Sequence, residues 1–238
     1  MATSAEAYEG REFEAAANLD NYYRWITDGF RPYLIGAGTE IGAGIGTYSQ
    51  YLRPFFSTFD AVEPSPVQHK DLQTRFSGDD GVRVFSETID DYRARAGDGS
   101  RDSICMVNVL EHIEDDLQAI RALHALLTTG GHLCVFVPAL PMLYSKLDGI
   151  FGHHRRYLKD ELIGKMTDGG FEVVACKYMD ILGIPAWGVV NTLLGSTSLN
   201  PHMAKIYDKV FVPLTRGAEA LVTPPLGKSL LAVGRKND

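Results

Sequence analysis

The stretch "EIGAGIGTYSQYL", residues 40 to 52, places three glycines within five positions, directly behind a carboxylate. Gly42, Gly44 and Gly46 read G-x-G-x-G, whereas the nicotinamide-dinucleotide motif reads G-x-G-x-x-G. Glu40 lies two positions before the first glycine, where a carboxylate repels a pyrophosphate and attracts an ammonium group. The stretch therefore predicts a turn whose backbone closely approaches a cationic ligand. A plain strand-to-helix turn is the alternative.

Short apolar strands and helical segments alternate on both sides of this turn. Strands are predicted at Thr39–Ile41, Phe59–Val62, Val82–Phe85, Ser103–Val107 and His132–Val137, and again at 171–179 and 229–236. Helices are predicted at Gly46–Arg53, Val67–Phe76, Asp115–Leu127 and Lys159–Asp168, the last two stopping at Gly130-Gly131 and Gly169-Gly170. This alternation is typical of a parallel α/β sheet, which binds ligands at the carboxyl ends of its strands.

A second carboxylate follows the second predicted strand, where Glu63 comes seventeen residues after Gly46. A carboxylate at that place can accept the hydroxyl hydrogens of a ribose, and it favours a ribose without a 2′-phosphate. Together, Glu40 and Glu63 predict an adenosine-type ligand that carries a positive charge and no phosphate, as S-adenosylmethionine does. A helix-start carboxylate before Pro64 is the alternative interpretation of Glu63.

A third segment, "NVLEHIEDD" at residues 108 to 116, follows the fourth predicted strand. With "EIGAGIG" and Glu63, it resembles the class I S-adenosylmethionine-dependent methyltransferases, in particular small-molecule enzymes of types 11 and 12. The resemblance covers residues 36 to 140 and extends more loosely to Lys236. It implies a doubly wound α/β fold with a seven-stranded, mostly parallel sheet and an antiparallel last strand.

The resemblance also implies one methyltransferase domain over residues 1–238. An N-terminal helical cap is expected over 1–34, a cofactor-binding half over 35–140 and an acceptor-side half over 141–238. Phe13, Ala16, Ala17, Tyr23 and Ile26 lie near helical spacing, which predicts one or two helices between residues 12 and 30. The segment 180–227 is too long for a plain connection and is expected to be a helical insertion.

The family pattern implies the residues that hold S-adenosylmethionine. Glu40 would orient the methionine part through its amino group, partly by way of ordered water, and Glu63 would hold the ribose. Thr88 would lie beside the adenine. The remaining residues assigned to the cofactor are Gly42, Gly44, Gly46, Asn108, Val109 and His112. For Glu111 and His112, a helix start with acids near the dipole is the alternative.

The segment "DGIFGHHRRYLKDEL", residues 148 to 162, follows the fifth strand and resembles a D-x(n)-G-H-x-R-R-Y pattern in a bacterial branch of the family. His153 is the first candidate for a general base and His154 the second, because neutral imidazole titrates near working pH. Arg155 or Arg156 can pair with an anionic acceptor, and Tyr157 is assigned to acceptor binding with Arg155. Anchoring of a loop is the alternative role.

No metal site is expected from the sequence. His153 and His154 are adjacent, so their side chains rarely point the same way, and no nearby acidic cluster completes a site. The three cysteines have no metal-ligand spacing, and they indicate buried thiols in a reducing compartment.

Aromatic residues provide candidates for acceptor binding. Tyr22 and Tyr23 belong to the predicted cap, and Trp187 belongs to "DILGIPAWGVVNTLLG", residues 180 to 195. They can stack on a ring or a sugar, or they can simply pack within helices. The segment 180–195 can line an apolar pocket, pair with a second subunit or touch a membrane surface, but it is too short to span a bilayer.

Charge and composition narrow the partners. The chain has 238 residues and a formal net charge of −7, so nothing indicates nucleic-acid binding. We expect a cytoplasmic enzyme without a secretory signal or stable membrane insertion, and a homodimer and a peripheral membrane contact stay open.

The sequence thus predicts methyl transfer from S-adenosylmethionine to a small-molecule acceptor. Oxygen, as a hydroxyl or carboxylate of a natural product, sugar or lipid, is the preferred acceptor atom, and nitrogen or carbon is the alternative. A nicotinamide-dependent oxidoreductase is disfavoured by the glycine spacing and by the absence of an evident Tyr-x-x-x-Lys pair. A non-catalytic module that binds the cofactor is the remaining interpretation.

Overall fold

The computed structural model describes residues 19–193 and 200–237. Within them, one sheet contains β1 (Ala37–Ile41), β2 (Thr58–Val62), β3 (Val82–Phe85), β4 (Arg101–Val107), β5 (Leu127–Pro138), β6 (Phe171–Met179) and β7 (Ser229–Lys236). The strand order is β3-β2-β1-β4-β5-β7-β6. β7 runs antiparallel to β5 and β6, and the other pairs are parallel. The predicted seven-stranded fold with an antiparallel last strand is therefore confirmed.

The helices flank this sheet. They are α1 (Asp20–Phe30), α2 (Ser49–Leu52), α3 (Pro66–Arg75), α4 (Ile89–Ala96), α5 (Asp116–Leu126), α6 (Lys146–Ile150), α7 (Lys159–Asp168), α8 (Gly183–Trp187), α9 (Pro201–Ile206) and α10 (Val212–Leu221). Short π-helical turns at Gly188–Leu193 and Tyr207–Phe211 continue α8 and α9. The region 180–227 therefore carries helices, as predicted. No described helix has the length and apolarity needed to cross a membrane.

The sheet separates two apolar layers. Along β5, Leu133 and Val135 face one layer, while Cys134 and Phe136 face the other. This alternation follows from the period of two in a strand, and both faces are apolar because helices cover both. The covered faces leave the carboxyl ends of the parallel strands as the edge at which a ligand can enter.

β1 begins with small residues for a packing reason. A Cβ atom on Gly38 would lie 2.4 Å from the ring of Phe56. That ring is buried and stacks on Phe59, with 5.6 Å between the centroids. The strand therefore uses glycine where an adjacent aromatic side chain occupies the space.

Two predicted helix boundaries are wrong at glycines. The helix predicted from Gly46 begins at Ser49, because Gly44 and Gly46 have φ values of 57° and 83°, which no α-helix contains. The helix predicted to stop at Gly130-Gly131 ends at Leu126. The glycine pair lies within β5, where that strand advances five residues while β4 advances two. Gly130, with φ of 82°, allows this irregularity.

Two further predictions concern the helix α7 and the N-terminal helices. The helix Lys159–Asp168 agrees with the prediction, and Gly169 follows it. Of the predicted N-terminal helices, α1 is described and contains Tyr23 and Ile26. Phe13, Ala16 and Ala17 lie outside the described residues.

Candidate active site

A cavity of about 1000 Å³ opens at the carboxyl ends of β1, β2, β4 and β5. One part of its wall is the glycine turn after β1, together with the residues that follow β2 and β3. The opposite part is formed by α1, by the loop between β5 and α7, by Trp187 of α8 and by the start of β7. The cavity therefore joins the predicted cofactor-binding and acceptor-binding halves in one space.

The glycine turn packs directly on the segment that follows β4. Gly42 has φ of 70°, and a Cβ atom there would lie 2.4 Å from Val109 Cγ2. Gly42 and Val109 both line the cavity, as does Gly44. Gly46 does not line it, because its open side is filled by the side chains of Phe76, Arg75 and Leu72. The structure thus brings two of the three glycines to the cavity.

Glu63 lies at the cavity wall and is held by backbone N–H groups. Gly44 N donates to its Oε2 and Ser65 N donates to its Oε1, both at 2.8 Å. Burial raises the pKa of Glu63, and these two N–H donors oppose that shift. Each oxygen keeps a further lone pair, so the carboxylate is placed to accept hydroxyl hydrogens from a ligand in the cavity.

Glu40 lies behind the wall and does not line the cavity. The Ser49 hydroxyl donates to Glu40 Oε2, which accounts for the first residue of α2 facing inward. Burial raises the pKa of Glu40 to about 8, with Ser49 opposing the shift and the Glu63 charge adding to it. Its predicted role toward the methionine amino group therefore requires an intervening water or a small movement.

Thr88 and Asn108 line the cavity at the ends of β3 and β4. The Thr88 side chain accepts the N–H of Asp91 and so caps α4. Asn108 has φ of 53°, a left-handed conformation that is uncommon outside glycine, and its N–H donates to Phe136 O at 2.8 Å. Strained backbone of this kind is often found at functional sites.

Asp148 organises the loop that follows β5. Its Oδ1 contacts His153 Nδ1 at 3.0 Å and accepts Arg156 Nε at 2.7 Å, while its Oδ2 accepts both the N–H and the hydroxyl of Ser145 at 2.8 Å. Burial opposes ionisation, but the bonds from His153 and Arg156 hold the pKa of Asp148 at about 2. Because an ionised carboxylate only accepts, His153 donates to Asp148 from Nδ1.

Glu111 and His112 lie beside His153, although about forty residues separate them along the chain. The His112 and His153 rings are 4.7 Å apart and edge to face, and Glu111 Oε1 is 4.0 Å from His153 Nε2. Burial and the neighbouring His153 lower the pKa of His112 to about 4, so its ring is neutral. His112, His153 and His154 line the cavity. The spacing of the adjacent residues His153 and His154 does not indicate this group. It is indicated by the strands that the residues follow, because Glu111 and His112 come after β4, His153 comes after β5, and these strands are neighbours.

Arg155 and Tyr157, which the sequence assigns to acceptor binding, are not among the described lining residues of the cavity. Arg155 pairs with Asp116 at 2.7 Å and donates to Glu114 O. Tyr157 is fully buried and donates to Asp116 at 2.9 Å. Both residues therefore anchor the loop, and Arg156 is the arginine that lines the cavity.

The aromatic residues that the sequence assigns to acceptor binding line the cavity. Tyr22, Tyr23 and Trp187 contribute to the wall, and Trp187 Nε1 donates to Leu143 O at 3.1 Å. Lys228 is a lining cation that the sequence does not single out. Its Nζ pairs with Asp180 at 3.0 Å and lies 5.1 Å from the centroid of the Tyr22 ring.

Residues 39–133 match the family model of a methyltransferase domain. A search among curated proteins finds no match. Among solved structures, the complex of the Haloferax volcanii Trm112 methyltransferase activator with a methyltransferase has a TM-score of 0.66 at 15% identity, over 99% of this chain and 97% of that one. A Mesorhizobium loti S-adenosylmethionine-dependent methyltransferase has a TM-score of 0.63 at 17% identity, over 92% and 100%.

A Thermotoga maritima S-adenosylmethionine-dependent methyltransferase, described as a possible histamine N-methyltransferase, has a TM-score of 0.62 at 20% identity, over 95% of this chain and 93% of that one. Likeness at these identities establishes the fold. The family match includes Glu40, Glu63 and the segment 108–116, which are the features that predicted the cofactor. Residues 39–133 thus carry a methyltransferase domain, and the chain has the fold of S-adenosylmethionine-dependent methyltransferases, which supports S-adenosylmethionine as the cofactor.

Proposed function

We propose that this protein transfers the methyl group of S-adenosylmethionine to a hydroxyl oxygen of a small molecule, with His153 as the proton acceptor. The observation that carries the proposal is the contact of 3.0 Å between Asp148 and Nδ1 of His153, at the wall of a cavity that the glycine turn also lines. That contact leaves the Nε2 lone pair on the side opposite Asp148.

The placement of the cofactor is part of the proposal. Glu63 would accept the ribose hydroxyls, and the backbone at Gly42 and Gly44 would pass close to the ligand. Asn108 and Val109, which adjoin this turn, would flank the methionine chain. The methyl group would then point toward the His112 and His153 side of the cavity. This arrangement keeps donor and acceptor in one enclosed space, which is the main contribution that a methyltransferase must supply.

In the proposed reaction, the acceptor oxygen attacks the methyl carbon as the carbon–sulfur bond breaks. An oxygen–carbon bond forms, S-adenosylhomocysteine leaves, and the hydroxyl proton passes to His153 Nε2. The Asp148 carboxylate stabilises the imidazolium that results. General base catalysis of this kind contributes about 10²–10⁴-fold to the rate. His154 also lines the cavity and is the second candidate for this role.

The charge of the acceptor side favours a neutral hydroxyl over a carboxylate. Arg156 and Lys228 are the cationic side chains among the described lining residues outside histidine. Arg156 pairs with Asp148 at 2.7 Å and Lys228 pairs with Asp180 at 3.0 Å. Because buried aspartates already compensate both cations, neither of these two side chains offers an anionic acceptor an uncompensated positive charge. Tyr22 and Trp187 suit the ring or apolar body of a natural product, sugar or lipid.

An amine is the second candidate acceptor. A neutral imidazole can remove a proton from an ammonium group as well as from a hydroxyl. One structurally similar protein is described as a possible histamine N-methyltransferase. Fragmentation of the product by mass spectrometry distinguishes a methoxy group from an N-methyl group.

The first experiment is a screen for a gain of one methyl group against a panel of hydroxyl, carboxylate and amine compounds. With the acceptor found, His153→Ala should lower turnover by about 10²–10⁴-fold, while calorimetry should give an unchanged affinity for S-adenosylmethionine. Glu63→Ala should do the reverse and weaken cofactor binding by about 10–100-fold, the worth of hydrogen bonds to a charged group.

His202→Ala changes an exposed histidine of α9 and serves as the control for both measurements. Wild-type turnover in His153→Ala would exclude the base. Unchanged cofactor affinity in Glu63→Ala would exclude the proposed position of the ribose.

A further inference from the structure

We infer that Glu111, His112 and His153 form a binding site for a divalent cation at the acceptor side of the cavity, and that the acceptor hydroxyl binds on this cation. The second part rests on the hydroxyl transfer proposed above. The first part stands on the geometry of the three side chains alone.

The three residues bring together one carboxylate oxygen and two imidazole nitrogens. One donor atom from each residue lies within 4.8 Å of the others. Donors bound to a metal at about 2.0–2.2 Å lie about 3–3.5 Å from one another. The donor atoms would therefore need to approach one another by at most about 1.3–1.8 Å to complete the site.

Both imidazoles are already oriented by a second partner. His153 Nδ1 contacts the Asp148 carboxylate at 3.0 Å, and the His112 ring hydrogen-bonds the backbone of Gly152. Histidines that bind metals almost always use their other ring nitrogen in this way, because the bond sets the tautomer and the ring orientation. In His153, the remaining nitrogen is the one that lies 4.0 Å from Glu111 Oε1.

The site has a closed side and an open side. Glu111 is fully buried and does not line the cavity, whereas His112 and His153 do. A cation among them would therefore be held from behind by the carboxylate and would meet the cavity in front. Three protein ligands with an open position are typical of catalytic rather than structural metal sites.

The donor set indicates the kind of cation. Two imidazoles and one carboxylate suit Zn²⁺, Co²⁺ or Mn²⁺ better than Ca²⁺, which prefers a shell of oxygens. One carboxylate leaves a net charge of about +1 on the complex. That charge favours an oxygen that becomes anionic during the reaction.

This chemistry keeps the hydroxyl transfer proposed above but changes the proton acceptor, because His153 Nε2 is a ligand while the cation is bound. A hydroxyl bound to the cation is more acidic and releases its proton to water. The bound oxygen then attacks the methyl carbon, the oxygen–carbon bond forms, the carbon–sulfur bond breaks and S-adenosylhomocysteine leaves. The cation is unchanged. In chelator-treated protein, His153 Nε2 takes the proton directly, which gives a slower basal reaction.

The test is a titration of the full chain, with no affinity tag and after chelator treatment, with Co²⁺ alone. Visible absorption and calorimetry should report one bound Co²⁺ per chain. Glu111→Gln and His112→Asn should each weaken Co²⁺ binding at least tenfold, while the exposed control His202→Ala should not. Calorimetry with S-adenosylmethionine checks that Glu111→Gln keeps a folded cofactor site, and thermal unfolding checks the fold of His112→Asn, whose residue is itself assigned to the cofactor.

Equal Co²⁺ affinity in wild type, Glu111→Gln and His112→Asn, or no binding at millimolar Co²⁺, would overturn the site. If His153→Ala then still abolishes turnover in chelator-treated protein, the proposed function stands with His153 as direct base. Should Co²⁺ bind at these residues without accelerating hydroxyl methylation, the cation site is supported and the placement of the acceptor on it is rejected.

Discussion

Gly42 is the residue at which the first and the third sequence motifs meet. Its missing Cβ atom leaves room for Val109, which would otherwise lie 2.4 Å away. Its φ of 70° is also one that other residues rarely adopt. Glycine at this position therefore serves the packing of the turn as well as the approach of a ligand. Single residues of this kind join two stretches that are far apart along the chain.

Glu40 is a buried carboxylate whose ionisation should be visible in the stability of the protein. Its pKa is raised to about 8 by burial, whereas its ordinary value is 4.5. Between these values the native protein keeps a proton that the unfolded chain releases, so the free energy of unfolding falls as pH rises from about 4.5 to about 8. Glu40→Gln should remove this slope, measured by urea unfolding at a series of pH values.

The exposed carboxylate of Glu172 provides the matched control. Glu172→Gln should keep the slope of the wild type. If Glu40→Gln keeps it as well, the pH dependence comes from other groups.

At the scale of single elements, α4 begins at a residue of the cavity wall, because its N-cap Thr88 lines the cavity. The sequence predicts the loop before α4 as a cofactor contact but not the helix itself, because "IDDYRARA" has a weak apolar pattern. Thr88 accepts the N–H of Asp91 at 3.2 Å and also lines the cavity. The position of the predicted adenine contact therefore depends on how this helix begins.

Thr88→Ala should lower the free energy of unfolding by about 1 kcal/mol, the usual cost of losing an N-cap. Urea unfolding measures it. Thr74→Ala, at an exposed position where the hydroxyl donates to Lys70 O, is the control and should change stability by less than about 0.5 kcal/mol. Equal effects of the two substitutions would show that the Thr88 cap contributes nothing specific.

At the scale of the whole molecule, Asp208 fastens the helical insertion to α1. Its Oδ1 accepts the N–H of Tyr22 at 2.8 Å, and its Oδ2 accepts the side-chain amide of Asn21 at 3.2 Å. A carboxylate 186 residues away thus caps the first turn of α1 and complements its dipole. Since Tyr22 and Tyr23 line the cavity, this contact fixes part of the wall.

Asp208→Ala should cost about 0.5–2 kcal/mol of stability, because the partly buried N–H groups of the first turn of α1 lose their acceptor. It should also raise KM for the acceptor, because Tyr22 loses its support. Asp28→Ala removes the exposed pair with Arg216 between the same two elements, and it should cost no more than about 1 kcal/mol. Thermal unfolding and steady-state kinetics separate the two variants, and similar losses in both would contradict a special role of Asp208.

The strands of the cofactor half and the order of their motifs could be predicted from the sequence. The strands at Val82–Phe85, 171–179 and 229–236 have the predicted bounds. Strands that are covered on both faces appear in the sequence as continuous apolar runs. The conformation of a glycine turn and the position of a carboxylate at a strand end depend on residues close in the chain. Features that depend only on residues close in the chain can therefore be predicted from the sequence.

Other features depended on the tertiary structure. Whether Arg155 or Arg156 faces the cavity is decided by which aspartate each one pairs with, Asp116 or Asp148, and the sequence pattern does not give that pairing. The group of Glu111, His112 and His153 forms only because β4 and β5 are neighbours in the sheet. The sequence by itself predicted the cofactor and determined the fold, since their signals are periodicities and turns. The tertiary structure decided which side chains face the cavity, because irregular loops take their orientation from packing between distant segments.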